Sequence, residues 1–384
     1  MSKLNRFVYD EHLLSYHFHE EHPFNQKRVL LTKELLEDAG QLNHENIIKP
    51  RIATEEEIAL IHDNSFIHAV KSANTLTKEQ LLKYGLGTED TPVFPNMHDA
   101  TSRIVGATLT AVDAVLKDGA KTAVNFSGGL HHGLKHKASG FCIYNDAAIA
   151  VQYIRKNYNL RVLYVDTDAH HGDGVQWAFY DDPNVCTFSI HETGRYLFPG
   201  TGNVTERGIK EGHGFSFNLP IDAFTQDESF IQIYETALYE IADYFKPDIL
   251  ITQNGADAHY YDPLTHLCGS MAIYEKIPRI ALEVANKYCD GKWIALGGGG
   301  YDIWRVVPRA WSQVWNVMKD GKTVSGLLPE KWIEKWQEQT TELLPKTWND
   351  PIQDIPCIPR KKEIEEKNQN TLSQLLKYTK VKRS

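Results

Sequence analysis

The chain has 384 residues, 42% hydrophobic and 24% charged, with 41 Lys+Arg against 50 Asp+Glu. That length buries a sizeable core, in one large α/β domain or two smaller ones, and a net charge of −9 disfavours nucleic acid as a partner. It holds no apolar run of about 18 residues to span a membrane, and its opening MSKLNRFVYDEHLL lacks the apolar core of a signal peptide. Five scattered cysteines (Cys142, Cys186, Cys268, Cys289, Cys357), never in CxxC spacing, point to a reducing cytoplasm and away from thiolate-bound zinc.

Taken in order, an amphipathic stretch over 28–38 predicts a helix, and the Ala/Val-rich residues 101–116 predict another. Residues 121–126 read as a strand that ends in Ser127-Gly128-Gly129. A helix over 145–158 follows, capped by Asn145 or Asp146. Strands are predicted at 161–165, 185–190, 248–252 and 293–296, with helices at 229–245, 270–288 and 303–318. This alternation predicts an α/β fold with a largely parallel central sheet and helices on both faces. Residues 1–344 read as a single domain. Residues 345–384 differ: Pro345, Pro351, Pro356 and Pro359 interrupt them, and the charged end is basic. They read as an extension that wraps the domain or is partly mobile.

The run YVDTDAHHGDG, residues 164–174, packs three carboxylates and two imidazoles behind an apolar strand. In an extended segment Asp166, Asp168 and His170 all point the same way, which makes half of a divalent-metal site. Other clusters also follow predicted strands: His131-His132 after 121–126, His191 after 185–190, Asp257 and Asp262 after 248–252, and Tyr301 after 293–296. In open parallel sheets those carboxyl ends line the ligand crevice. The third metal ligand then comes from NGADAHYYDP (254–263), which offers Asp257, His259 and Asp262. Oxygen and imidazole donors suit a catalytic zinc, or Fe²⁺ in its place. An EF-hand is excluded, because its sixth and twelfth positions would be His171 and Trp177. Two surface histidines would be the ordinary reading of His131-His132 alone. Beside a metal run they become the acid and base of a hydrolase, with Asp166 and Asp173 to orient them. GGGGY (297–301) has no Gly-Lys-Ser/Thr and is no Walker loop; Tyr301 is placed to donate to a developing oxyanion.

SGGLHH, ASGFCIYND, YVDTDAHHGDGV, FPGTG, GAD with DP four residues on, and GGGGYD occur in this order. Together they resemble the zinc-dependent histone deacetylase family, with its arginase–deacetylase α/β fold, over most of residues 6–320. HPFNQKR (22–28) and RYLFPGTG make the chain most similar to the bacterial acetoin-utilisation branch.

The resemblance implies zinc held by Asp168, His170 and Asp262. It implies tandem histidines His131 and His132 paired with Asp166 and Asp173, and Tyr301 polarising the scissile carbonyl. Phe141 and Phe198 match the walls of an acyl-lysine tunnel, Gly140 a position whose carbonyl lies along it, and Asp90 a rim aspartate that holds the substrate backbone. Arg28 resembles an arginine near the acetate-release path. Asp166, Asp168, His170, Ser189 and Ile190 resemble a monovalent-cation site, K⁺ in kind. Gly269 falls where relatives often carry a tunnel leucine, and it is expected to widen the pocket. The implied reaction is hydrolysis of acetyl-lysine amides in proteins, with acetyl-CoA synthetase as candidate substrate. An acetylpolyamine amidohydrolase is the alternative; a non-enzymatic scaffold would require lost ligands, and none is lost.

Overall fold

The computed structural model describes residues 5–380. The first four residues and the last four, which carry part of the basic C-terminal end, lie outside the described residues. The strands are β1 (Asn5–Val8), β2 (Ile47–Ile48), β3 (Thr122–Asn125), β4 (Val162–Asp166), β5 (Val185–Glu192), β6 (Ser216–Ile221), β7 (Ile249–Gln253) and β8 (Trp293–Leu296). They form one eight-stranded sheet ordered β2-β1-β3-β8-β7-β4-β5-β6, parallel at every pairing. The helices are α1 (Lys27–Asp38), α2 (Glu55–Ile58), α3 (Asn64–Lys71), α4 (Lys78–Lys83), α5 (Met97–Leu116), α6 (Asp146–Tyr158), α7 (Asp173–Ala178), α8 (Asp227–Phe245), α9 (Met271–Tyr288), α10 (Val307–Asp320), α11 (Glu330–Gln337) and α12 (Lys361–Thr379).

Period-two alternation sorts the strand side chains between two cores. Leu163, Val165, Leu250, Trp293 and Ala295 join α1, α8, α9, α10 and α12 on one face. Val162, Tyr164, Ile249, Ile251, Ile294 and Leu296 join α3, α5 and α6 on the other. A strand buried on both faces reads as a continuous apolar run, as these do. The α/β fold expected from the sequence is therefore the fold found.

The differences lie at edges and ends. β6 carries Pro220, which lacks an N–H and is tolerated because β6 is the sheet's edge. The helix expected from residue 303 begins at Val307, since Asp302 first caps a turn through Arg305 N at 2.8 Å. Beyond residue 344, Trp348 joins Trp332 and Trp336 of α11 against Leu31 and Leu35 of α1. α12 buries Ile364, Asn368, Leu372 and Leu375. Asn368 is tolerated there because its Oδ1 accepts from Asp222 N, and its Nδ2 donates to Thr225 Oγ1 and Ser229 Oγ.

For function, the central order matters most. β3, β8, β7 and β4 are consecutive neighbours. Loops leaving their carboxyl ends must meet at one place.

Candidate active site

At the end of β4 the extended alternation stops. Asp168 N donates to Asp166 Oδ1 at 3.1 Å, and His170 N donates to Asp168 Oδ1 at 2.9 Å. Two successive Asx turns replace the strand, so the three side chains separate in role. Asp166 Oδ2 turns to His131 Nδ1 and the Tyr164 hydroxyl, both at 2.8 Å. Asp168 Oδ2 instead accepts from Gly299 N at 2.5 Å. A Cβ at Gly299 would overlap both the Asp257 and Asp168 carboxylates, so the glycine run after β8 permits close approach.

Asp168, His170 and Asp257 each bring one ligand atom into a group within 4.8 Å. His170 Nδ1 lies 3.1 Å from Asp168 Oδ1 and 2.9 Å from Asp257 Oδ2. The other Asp257 oxygen accepts from Ala169 N at 2.8 Å, which fixes the carboxylate. This corrects the third ligand: the structure gathers Asp257, not Asp262. Asp262 is occupied elsewhere, its Oδ2 accepting from Tyr301 N at 2.8 Å and its Oδ1 from Leu264 N at 2.9 Å. Two aspartates five residues apart in an irregular loop share no periodicity, so chain contacts alone decide which one faces the site.

The trio fits a divalent cation. Burial, then the charge of Asp168, raises Asp257 to about 7. Burial would lower His170, but hydrogen bonds to Asp168 and Asp257 outweigh it and push it up to about 10. The three groups together demand positive charge at one buried point. Two carboxylates and an imidazole suit zinc or Fe²⁺ chemically.

His131 and His132 follow β3 on a loop held by buried Asp146, whose carboxylate accepts from Gly129 N and Leu130 N. Asn145 caps α6 through Ala148 N, and its Nδ2 donates to the carbonyls of His131 and Gly133. His132 Nδ1 pairs with Asp173 Oδ1 at 2.7 Å. Burial lowers His131, yet the charges of Asp166 and Asp168 prevail and raise it to about 9. Burial, with repulsion from His131, lowers His132 to about 4.

Tyr301 is held by the bond from its own N–H to Asp262, and its ring lies 5.7 Å from Phe141 and 6.3 Å from His170. Burial raises its phenol well above the ordinary value, so it stays a proton donor. The Phe198 ring stands edge-on to His132 at 5.0 Å. Gly140, at φ +50°, passes so close to His132 and Phe198 that a Cβ would overlap both rings. Phe141 O accepts from Tyr16 OH at 2.6 Å. Asp90 is exposed, and its carbonyl lies 3.3 Å from the Nε2 of His22, whose ring packs on Phe141 at 4.8 Å. Arg28 is fully buried between Phe24 and Trp311 and donates to Gly300 O at 2.9 Å. Asp166 and Ser189 stand opposite each other in the β4–β5 register, with Ile190 next along β5; Ser189 Oγ also bonds His191 Nδ1 at 2.8 Å.

Gly269 requires a second correction. A Cβ there would meet Ile273 Cδ1 and Ala258 O. The glycine lets its loop pack on α9 and does not widen an acyl pocket. The sequence reading missed Asp146, Tyr164 and Asn145 as supports of the site, although Asn145-Asp146 had been marked as a cap.

The histone deacetylase domain matches residues 22–318. The acetoin utilization protein AcuC of Bacillus subtilis (strain 168) is 58% identical, over 96% of each chain. AcuC of Staphylococcus aureus (strain MRSA252) is 49% identical, over 94% of each. A crystal structure of an HDAC homologue complexed with SAHA superposes with a TM-score of 0.85, at 29% identity over 96% of this chain and 100% of that one. An HDAC homologue from Aquifex aeolicus gives 0.83 at the same identity and coverage. On these matches and this arrangement of side chains, the chain belongs to the histone deacetylase family of hydrolases, and within it to the AcuC type.

Proposed function

We propose that this chain hydrolyses the amide of acetylated lysine side chains in proteins, with a divalent cation, zinc in kind, held by Asp168, His170 and Asp257. The observation that carries this reading is the convergence of two His–Asp pairs and one tyrosine on that trio. When bound, the ion supplies Lewis acidity and acidifies a water.

The remaining chemistry belongs to the chain. His132 is neutral at physiological pH and accepts the proton of the attacking water at Nε2, while Asp173 holds Nδ1–H. Once protonated, it returns that proton to the leaving lysine amine. His131 remains cationic beside Asp166 and steadies the negative charge that develops. The Tyr301 hydroxyl donates to the carbonyl oxygen as it becomes an oxyanion. Phe141 and Phe198 offer apolar walls that accept a neutral acyl-lysine stem and penalise a charged lysine. Phe198 is exposed while its ring stands against His132, which suits a macromolecular substrate. Arg28 lies behind Tyr301, in keeping with a role toward the released acetate. Asp90 is the candidate rim contact to the substrate backbone. K⁺ is the proposed ion at Asp166, Asp168, His170, Ser189 and Ile190.

Acetyl-CoA synthetase is the candidate protein substrate, and the relatives named for acetoin utilization are in keeping with a metabolic one. The test is a panel of acetyl-lysine peptides, acetylated acetyl-CoA synthetase and acetylpolyamines, each with and without chelator. Peptides and synthetase are expected to be deacetylated, with activity lost to chelator and restored by Zn²⁺. Preference for acetylpolyamines, or indifference to chelator, would overturn the reading. Among the described residues no helix is long and apolar enough to cross a membrane.

A further inference from the structure

The matched domain ends at residue 318, yet a residue far beyond it reaches the loop that carries Asp257. The Asp350 side chain is 3% exposed. Its Oδ2 accepts from His259 Nε2 at 2.9 Å and from Met271 N at 2.7 Å, and its Oδ1 accepts from Arg309 Nη2 at 2.9 Å. One carboxylate thus ties the 254–270 loop, the N-terminus of α9 and the side of α10.

His259 is fully buried, and its tautomer follows from its bonds. Nδ1 accepts from Tyr261 N at 3.1 Å, so Nε2 carries the proton given to Asp350. Asp257 lies two residues before this ring. Asp262, whose N–H donates to His259 O at 2.8 Å, lies three residues after and holds Tyr301 N. Both reactive groups of this wall, Asp257 and Tyr301, are therefore referenced to His259, and His259 is referenced to Asp350. Without Asp350, two buried donors, His259 Nε2–H and Met271 N–H, lose their acceptor, and the loop must move to satisfy them.

We propose that Asp350 is a positioning residue for the metal-ligand loop, so that the segment around it, outside the matched domain, completes the catalytic unit. This rests on the proposed function only in taking Asp257 as a metal ligand. Outer partners of ligands commonly govern metal affinity as strongly as they govern activity.

The test uses the full chain, stripped of metal and titrated with Zn²⁺ against a chromophoric chelator, with the unfolding midpoint measured in parallel. Asp350→Ala, which leaves both donors without an acceptor, is expected to weaken Zn²⁺ binding about tenfold or more. His259→Asn keeps an acceptor for Tyr261 N but is too short to reach Asp350. It leaves the Arg309–Asp350 pair intact and is expected to weaken binding equally, which keeps the idea testable if Asp350→Ala does not fold. Arg309→Gln, which destabilises the same cluster without touching the loop, should leave affinity within about twofold. Unchanged affinity in His259→Asn and Asp350→Ala would overturn the proposal, as would losses that follow the unfolding midpoint alike in all three variants. Asp257→Asn separates the two readings. If it too binds Zn²⁺ normally, the ligand assignment has failed; if it alone loses Zn²⁺, only the role of Asp350 has.

Discussion

His131 and His132 are neighbours in sequence, and each gives Nδ1 to an aspartate at nearly the same distance, 2.8 and 2.7 Å. Their charge states are nevertheless opposite, raised to about 9 in one and lowered to about 4 in the other. Both are buried, so burial alone cannot separate them. His131 has a second carboxylate at hand, its Nε2 lying 3.9 Å from Asp168. His132 has the cationic His131 as its nearest ring, 4.0 Å away. Identical side chains with identical first partners become a fixed cation and a free base because of the next charge out.

The largest effect should come from breaking the two apart. His132→Ala is expected to lower kcat/KM on an acetyl-lysine peptide by roughly 10³-fold, and His131→Ala by roughly 10², since only the former removes the proton carrier. Equal losses would mean that the two share the proton work. Tyr301→Phe should cost roughly 10²-fold in kcat. It should leave metal content, read by elemental analysis, and both pH limbs where they were. Tyr301 touches neither histidine's aspartate, so moved limbs would contradict the separation of roles.

A third His–Asp pair, His259–Asp350, sharpens the comparison because its charge also bears on stability. Burial alone would raise Asp350; its bond to His259 and the charge of Arg309 instead hold it below the ordinary carboxylate value. The stabilisation is thus fully present above the unfolded pKa, about 3.9, and is lost as pH falls below that toward the folded value. Asp350→Asn should cost roughly 2 kcal/mol in urea unfolding at pH 7. The gap to the unmodified chain should narrow as pH drops below about 4. A gap that stays constant with pH would show that charge plays no part.

How much of this was legible in the sequence follows from how local each signal is. The buried strands 161–165, 248–252 and 293–296 were, because continuous apolar runs need no partner to be recognised. α12 was not: its buried positions 364, 368, 372 and 375 keep helical spacing, but Asn368 breaks the apolar stripe and is satisfied only by Asp222, Thr225 and Ser229. The residues of YVDTDAHHGDG announced metal chemistry, yet not its geometry, because Asx turns after Asp166 undo the alternation. The loop's own pattern left Asp257, His259 and Asp262 open and the family resemblance selected Asp262, whose bond to Tyr301 N spans 39 residues and leaves no mark on that pattern.

The smallest expected effect tests the opening contrast most directly. With His132 as base and His131 as cation, kcat/KM should rise through the pKa of His132 on the acid side. It should fall as His131 loses its proton on the alkaline side. Asp166→Asn removes the first charge that holds His131 protonated, so the alkaline limb moves down. At the acid limb, near 4, a His131 lowered by about one unit is still protonated, so that limb keeps its place and the window narrows from the alkaline side alone. Asp173→Asn removes the attraction that favours protonated His132, so its acid limb moves down instead. Each shift should be about one unit or less, worth roughly 1.4 kcal/mol at most, and pH–rate profiles of the two variants resolve it by which limb moves. Acid limbs that move in the same direction would mean that the two aspartates act as one field on a coupled pair, and that the division into base and cation belongs to the pair and not to its members.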